Sequence, residues 1–366
     1  MKRLLLTILL FSAVSCIYDY DIPSLPEAKD ALVFDGNIAV GSKATLKVSR
    51  LAALDGSAPA RKVEPASWWV EDDAATRYDT DSDGSVDLSA APSDKAYRMV
   101  IECEDKTYVS DFQTPLAAPQ IDSLTFSETP TNVNCNISFC VDPSVSRYAV
   151  LQFEEIWRFH TDYEKFLDVS YDNEEGRWNV FALENPDLTY YECWAQRKTG
   201  SEFLVDLGSL DGKAVNYVVN TFPRTSHRNH GNYNIKVWVR SISDKEYRYA
   251  QTLNQQDGGL NLYTPNPGEI AGNIVCEDDP SQKVYGYVST SFAVSTTKRL
   301  DNRFYIYAPS VYGLEIPANP EDYGKYLANG YWPIKWDSDG NLLWGPERCI
   351  NCVAAGGTLD KPSFSE

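Results

Sequence analysis

The sequence is poor in histidine, with three residues in 366: His160, His227 and His230. A closed zinc site needs four ligands, and a Ser-His-Asp triad would have to take its base from these three. The chain also lacks a G-x-S-x-G elbow, an H-E-x-x-H helix, a P-loop and a G-x-G-x-x-G turn. Carboxylate pairs such as Glu154-Glu155 are too common to indicate catalysis. We therefore predict that the protein is not an enzyme.

Basic residues are also few, since 33 Lys and Arg stand against 52 Asp and Glu, for a formal net charge of −19. Nucleic-acid binding depends on cations that displace counterions from phosphates, so this balance argues against a nucleic-acid partner. It argues equally against charge-driven adsorption to anionic lipid. Beyond the first residues, no apolar run is long enough to cross a bilayer core of about 30 Å.

The amino terminus indicates export. Lys2 and Arg3 precede the apolar run Leu4 to Phe11, and the small residues of 12–15 lead directly to Cys16. This order is typical of a secretory signal. Because the cysteine follows the small residues, the segment resembles the lipobox of bacterial lipoproteins, which implies cleavage before Cys16 and its acylation. Two or more acyl chains make such an anchor stable. The alternative is a soluble secreted protein with an ordinary cleavage site.

We expect a signal peptide over 1–15 and an extended tether over 16–30. Asp19 and Asp21 follow the lipidated position. They resemble the surface-export signal of Bacteroidota lipoproteins and favour the cell surface over the periplasmic face.

Short alternating segments separated by Gly, Asp and Pro predict a mainly β protein. We expect an immunoglobulin/transthyretin-like β-sandwich over 31–115, then a larger β-rich domain with one short helix over 120–366. Ser243 and Glu246 form a capping box for that helix, which Gly258 would end. The aromatic tail at 323–344 is expected to be loop-like. The expected strands cover 32–34, 44–48, 97–103, 135–141, 148–157, 214–219, 233–241, 284–294 and 303–308.

Seven cysteines remain after Cys16, and an odd count leaves at least one thiol free or paired between chains. Cys349 and Cys352 form a C-x-x-C flanked by Gly and Pro, which favours a loop. We predict structural disulfides that fasten the C-terminal tail, with Cys193 and Cys276 as candidate partners. A redox centre and a metal site remain alternatives. Cys135 and Cys140 fall on opposite faces of one strand, so they should not bond to each other.

An acidic loop resembles the first half of an EF-hand, with oxygen ligands at alternate positions before Gly84: Asp79, Asp81, Asp83 and Asp87. Its twelfth position is Ala90, where a bidentate Glu is expected, and its flanks read as strands. A solvated hairpin loop is therefore favoured, and a structural calcium ion is the alternative.

Four aromatic residues of the tail are candidates for ligand or partner contact: Tyr331, Trp332, Trp336 and Trp344. The alternative is that they pack as a satellite core. His227 to His230 with Arg224 form a small basic island. We interpret it as a solvated loop, with an anion-binding loop as the alternative.

The C-terminal half carries a series of short motifs in order: Glu192-Cys193-Trp194, Pro265 to Ile274, Val284 to Tyr287, Thr297-Lys298-Arg299, Cys349 to Cys352, Gly356-Gly357-Thr358 and Lys361 to Phe364. In these the chain resembles domain-of-unknown-function family 4249, lipoproteins of Bacteroidota often encoded beside TonB-dependent receptors. Two departures are that Ser365-Glu366 follow Phe364 in place of a Trp, and that 312–344 is an aromatic insertion.

The resemblance implies an outer-membrane accessory role and supplies no catalytic residues. We therefore expect an outer-membrane lipoprotein that serves a TonB-dependent receptor system as a ligand-binding or assembly component. The alternative is a structural or adhesive surface lipoprotein stabilised by calcium. An extracellular hydrolase, the third possibility, would depend on one of the three histidines. No other cofactor is expected.

Overall fold

A computed structural model describes residues 31–50, 61–199, 202–229, 231–257, 272–300, 313–317 and 319–364. Strands dominate these residues, and the two α-helices are short, which confirms the mainly β fold. No helix in these ranges combines the length and the apolar character that a membrane span requires. The predicted signal peptide, the tether with Cys16 and the strand expected at 303–308 lie outside the described residues.

The strands are numbered along the chain. Up to residue 140 they are β1 (Leu32–Ala39), β2 (Lys43–Arg50), β3 (Arg61–Val63), β4 (Ser67–Asp72), β5 (Arg77–Asp79), β6 (Val86–Asp87), β7 (Tyr97–Cys103), β8 (Lys106–Ser110), β9 (Gln120–Glu128) and β10 (Asn132–Cys140). They continue as β11 (Tyr148–His160), β12 (Lys165–Asp172), β13 (Arg177–Asp187), β14 (Glu192–Lys198), β15 (Phe203–Asp206), β16 (Lys213–Pro223) and β17 (Asn234–Ile242). The last are β18 (Ile274–Cys276), β19 (Tyr285–Ser291), β20 (Ala293–Arg299), β21 (Tyr331–Trp336) and β22 (Leu342–Pro346). The α-helices are α1 (Asp244–Asp257) and α2 (Tyr323–Ala328), and 3₁₀ turns cover Gly208–Leu210, His227–Asn229, Pro320–Asp322 and Glu347–Cys349.

The first sandwich packs two sheets around one core. One sheet has the order β19-β1-β2-β3, with β6 beside β2, and the other has the order β18-β8-β7-β4-β5. Period-two alternation places Tyr97, Met99, Ile101 and Cys103 of β7 in the core, as the sequence predicts. They meet side chains of β1 such as Phe34.

Two strands of this sandwich come from far along the chain. β19 pairs in parallel with β1, and β18 pairs antiparallel with β8. A parallel pair needs a long crossover connection, and here most of the second sandwich, from β9 to β17, lies within it. Its remaining strand, β20, follows β19. The first sandwich therefore extends beyond the predicted domain of residues 31–115, because β18 and β19 also belong to it. Of the strand predicted at 284–294, Tyr285–Ser291 form β19, and the last two residues begin β20 in the other sandwich. Nothing local to this segment indicates which sheet it joins.

The second sandwich packs the sheet β16-β10-β9 against the sheet β14-β11-β17-β20, with β15 beside β11. In β17, Ile235, Val237 and Val239 have no exposed surface, which confirms their predicted inward orientation. The backbone N–H of Glu246 donates to the Ser243 hydroxyl at 3.1 Å, so half of the predicted capping box forms. The Glu246 carboxylate pairs instead with Arg240. Both side chains are nearly buried, and buried charges need an opposite charge as a partner.

The predicted loop-like tail is ordered. It folds into α2 and the hairpin β21–β22, which pack beside the hairpin β12–β13. We call these five elements, with the turns that join them, the C-terminal lobe.

Candidate functional site

An open cleft of about 450 Å³ lies in the C-terminal lobe. Ligand pockets commonly fall between about 300 and 1,000 Å³, so the volume suits a small ligand. It lies between β13, the segment that leads into α2, and the turn after β21. We call it the aromatic cleft, and its main lining residues are Trp178, Asn179, Pro317, Pro320, Tyr323 and Trp336.

Local packing sets the aromatic walls. Trp178 faces Tyr171 across the β12–β13 hairpin, with ring centres 5.3 Å apart. A Cβ at Gly324 would lie 3.2 Å from the Trp178 indole, so α2 approaches this ring closely because it carries glycine there. Trp336 ends β21 and is 46% exposed. Asp337 follows it and accepts backbone N–H bonds from Asp339 and Asn341 at 2.9 and 2.8 Å, which fixes the turn.

The four predicted contact residues take different positions. Trp336 lines the cleft, as contact with a ligand requires. Trp344 has no exposed surface and packs under Tyr323 and Tyr326, with ring centres 4.9 and 5.7 Å apart, so the prediction of direct contact is wrong for it. Half-buried Trp332 packs on a small core around Ile334.

Tyr331 is also half-buried, and its hydroxyl lies 3.5 Å from the carboxylate of Glu315. The satellite-core alternative therefore describes three of the four residues. Sequence reasoning missed Trp178, because β13 lacks the alternation of apolar and polar residues that marks a half-buried strand. Trp178, Asn179 and Val180 are consecutive and all half-buried.

The acidic loop forms a hairpin between β5 and β6. Asp79 pairs with Arg77 at 2.6 Å and Asp83 pairs with Lys43 at 2.8 Å. The Lys43 hydrogen bond, with bonds from Ser85, holds the pKa of Asp83 well below its usual range. Asp87 accepts the N–H of Ser89. Across the described ranges, no group of three or more His, Cys, Asp or Glu is placed to hold a metal, so Asp79, Asp81, Asp83 and Asp87 do not converge as calcium ligands there.

One predicted disulfide is present, between Cys193 and Cys352, which are 159 positions apart. Cys276 and Cys349 are free and buried, so their prediction as disulfide partners is wrong. Cys276 lies in the core of the first sandwich, and Cys349 faces Ile334 and Ile350. Burial raises the pKa of Cys349 to about 11, which opposes a redox role because the thiolate is the reactive form. Cys135 and Cys140 do not bond to each other.

The disulfide fastens residues 349–364, the C-terminal strap, to β14. Trp194 and Thr358 exchange backbone hydrogen bonds of 2.7 and 2.8 Å. A Cβ at Gly357 would lie 2.6 Å from the Cβ of Cys193, so the strap can approach the disulfide only with glycine there. The Cys193-Trp194 and Gly357-Thr358 motifs are thus in direct contact, and together they attach the strap to β14.

A second pair of motifs holds β19 against the first sandwich. Asn273 is 3% exposed, and its side-chain amide donates to the carbonyl of Val288 at 2.7 Å. Its amide oxygen accepts the N–H of Val288 at 2.8 Å. A Cβ at Gly272 would lie 2.0 Å from the carbonyl oxygen of Gly286. The role of these motif residues is structural.

The basic island is neutralised within the protein. Arg224 pairs with Glu128 at 3.2 Å, and Arg228 pairs with Glu155 at 2.7 Å. His227 stacks on Phe159 and is 3.9 Å from Asp162, and burial lowers the pKa of this histidine. His230 lies outside the described residues. Because both arginines hold carboxylates, the anion-binding alternative has no support at this loop.

A family model described as a domain of unknown function, DUF4249, matches residues 17–297. No curated protein matches the chain. The matched range contains both sandwiches and β12–β13 but ends before α2, β21 and β22. One wall of the aromatic cleft is therefore inside the family match, and the opposite wall, with Trp336, is outside it.

Proposed function

We propose, from the premise that this chain belongs to the DUF4249 family, that it is an outer-membrane lipoprotein, anchored through Cys16 and facing the cell surface. It works with a TonB-dependent receptor to capture or hand over a ligand. The anchor is supported by the charged, apolar and small-residue order of the first sixteen residues. The receptor is supported by the family resemblance.

The observation that carries the binding role is the aromatic cleft. Indole and phenol rings offer large contact area at little entropic cost, and exposed ones mark ligand or partner sites. Among the described residues that line the cleft there is no carboxylate, imidazole, thiol or aliphatic hydroxyl. Its one charged residue, Arg177, pairs with Glu175 at 2.6 Å. A nucleophile and a base are both missing from this lining, so its chemistry favours binding over catalysis.

The anchor is tested by mass spectrometry of the amino-terminal peptide from the membrane fraction. We expect an acylated Cys16 as the first residue, and a Cys16→Ala variant that no longer enters that fraction. An unacylated mature protein that begins elsewhere would contradict the anchor.

The receptor is tested by affinity purification of the tagged full-length protein from outer membranes, in which we expect a TonB-dependent receptor to copurify. The cleft is tested by growth that depends on this receptor, which should fall in a Trp178→Ser, Trp336→Ser double variant. Phe112→Ser is the matched control, because Phe112 is 45% exposed and lies outside the cleft. Normal growth of the double variant would remove the cleft from the proposal, and purification without a receptor would remove the transport role.

A further inference from the structure

The second sandwich contains a buried carboxylate with an unusual set of partners. Glu155 of β11 has no exposed surface. Arg228 donates to both of its oxygens, at 2.7 and 3.1 Å, and Arg197 lies 2.5 Å from one of them. The Tyr233 hydroxyl and the Asn220 amide donate to the same carboxylate at 2.8 and 2.9 Å. Five hydrogen bonds or ion pairs thus satisfy one Glu.

The charges in this cluster do not balance. Two guanidinium groups share one carboxylate, and Asn220 is neutral. Burial, and then the charge of Glu155, raises the pKa of Tyr233 well above its usual value, so its hydroxyl stays neutral as well. Arg228 is mostly buried against Glu155, so the excess positive charge falls to Arg197, where an anion from solvent can pair with it.

The excess positive charge is accessible at Arg197. Its side chain is 49% exposed, whereas that of Arg228 is 19% exposed and lies over the Trp157 ring at 4.2 Å. The Arg197 guanidinium lies 5.4 Å from the centre of the Phe153 ring, and its Nη2 donates to the Asn220 amide oxygen at 3.1 Å. Both contacts orient the group, and about half of the side chain remains accessible to an acceptor from solvent.

A pocket of about 420 Å³ opens directly beside this guanidinium. Its walls combine Arg197 and Asn220 with four apolar side chains: Phe153, Phe203, Val218 and Val219. A second cation, Lys198, also lines it, and none of the described lining residues carries a carboxylate. This local excess of positive charge favours an anion over a cation, in contrast to the net charge of −19 of the whole protein.

We infer that this pocket, the Arg197 pocket, is a binding site for a small organic monocarboxylate with an apolar body. The carboxylate pairs with the guanidinium of Arg197, which suits planar two-oxygen acceptors. The hydrocarbon part lies between the two phenylalanines and the two valines. One carboxylate fits the one guanidinium that lines the pocket, and the four apolar side chains favour an organic acid over inorganic phosphate. The site lies in the second sandwich, so it does not depend on the aromatic cleft or on the receptor.

Isothermal titration of the full-length mature protein tests the site with a defined series: butyrate, hexanoate, octanoate, decanoate and 3-phenylpropionate. We expect at least one acid to bind, and the neutral amide of that acid to bind at least about tenfold more weakly, because a charge-assisted hydrogen bond is lost. Arg197→Gln should weaken binding of the acid by a similar factor. Arg147→Gln is the matched control, since Arg147 is an exposed arginine paired with Asp206 at 2.6 Å, and it should bind as the wild type does.

The Arg197→Gln variant should fold, because Arg228, Tyr233 and Asn220 still satisfy Glu155, and circular dichroism checks this. If it fails to fold, Val218→Glu serves in its place, since Val218 is 47% exposed and the new carboxylate would repel the ligand. The inference is overturned if no acid of the series binds at millimolar concentration. It is equally overturned if the acid and its amide bind alike, or if the folded variants bind as the wild type does.

Discussion

At the scale of single residues, one glycine and one buried carboxylate determine how distant segments of the chain pack against each other. At Gly286 the backbone of β19 passes so close to β1 that an added Cβ would lie 1.9 Å from the carbonyl oxygen of Phe34. Its φ of +116° is also a conformation that L side chains rarely adopt. At Glu155 the decisive contacts are charged rather than steric, since two arginines pair with its carboxylate. The residues next to Glu155 in the sequence give no sign of them.

We expect Gly286→Ala to destabilise the protein by about 3 kcal/mol or more, since it adds a steric clash to the backbone strain. Gly41→Ala is the control, because Gly41 has a φ of +83° with no atom within 4 Å of an added Cβ. It should cost about 1 kcal/mol, from conformation alone. Urea unfolding followed by circular dichroism measures both, and equal losses would contradict the close approach of β19 to β1.

At the scale of elements, alternation and capping residues predicted individual strands and α1 well, but not their attachments. The C-terminal strap illustrates this. Its glycines and cysteines were visible as motifs, and the C-x-x-C suggested that both thiols act together. The structure separates them, since Cys352 bonds to β14 while Cys349 is buried behind β21.

Cys352→Ser should release the strap and lower the free energy of unfolding by up to about 5 kcal/mol, because the disulfide closes a loop of 159 positions. Cys349→Ser is the matched control and should keep the disulfide. Peptide mapping without reduction should show the Cys193–Cys352 link in the wild type and in the control. A link that involves Cys349 would show that the strap is fastened differently.

At the scale of the whole molecule, the two sandwiches are interleaved along the chain: β9 to β17 of the second lie between strands of the first, and β20 follows β19. β18 and β19 return from beyond residue 272 to cover β8 and β1. Without them, core residues such as Phe34 and Tyr108 would lose the neighbours Val288 and Cys276 from their cluster. The first sandwich should therefore need β18 and β19 for its stability, although residues 31–110 supply the rest of its core.

We expect a fragment of residues 31–118 to lack a cooperative unfolding transition. The same fragment joined by a Gly-Ser linker to residues 272–292 should fold, because these residues supply β18 and β19. The linker takes the place of residues 119–271. Dispersion of amide resonances and a urea transition measure this. A fragment of 31–118 that folds alone would show that the first sandwich needs neither strand.

The sequence by itself determined the β-rich class, the inward faces of β7 and β17 and the start of α1, because each depends on neighbours within a few residues. The lipoprotein proposal likewise rests on a local pattern, the order of residues before Cys16. Only the tertiary structure decided the rest. Contacts between residues far apart in the chain decide which sheet β19 joins and which cysteine bonds to Cys193. They also decide that Trp178 and Trp336 line one cleft and that two arginines surround Glu155. Local periodicity carries no information about such partners.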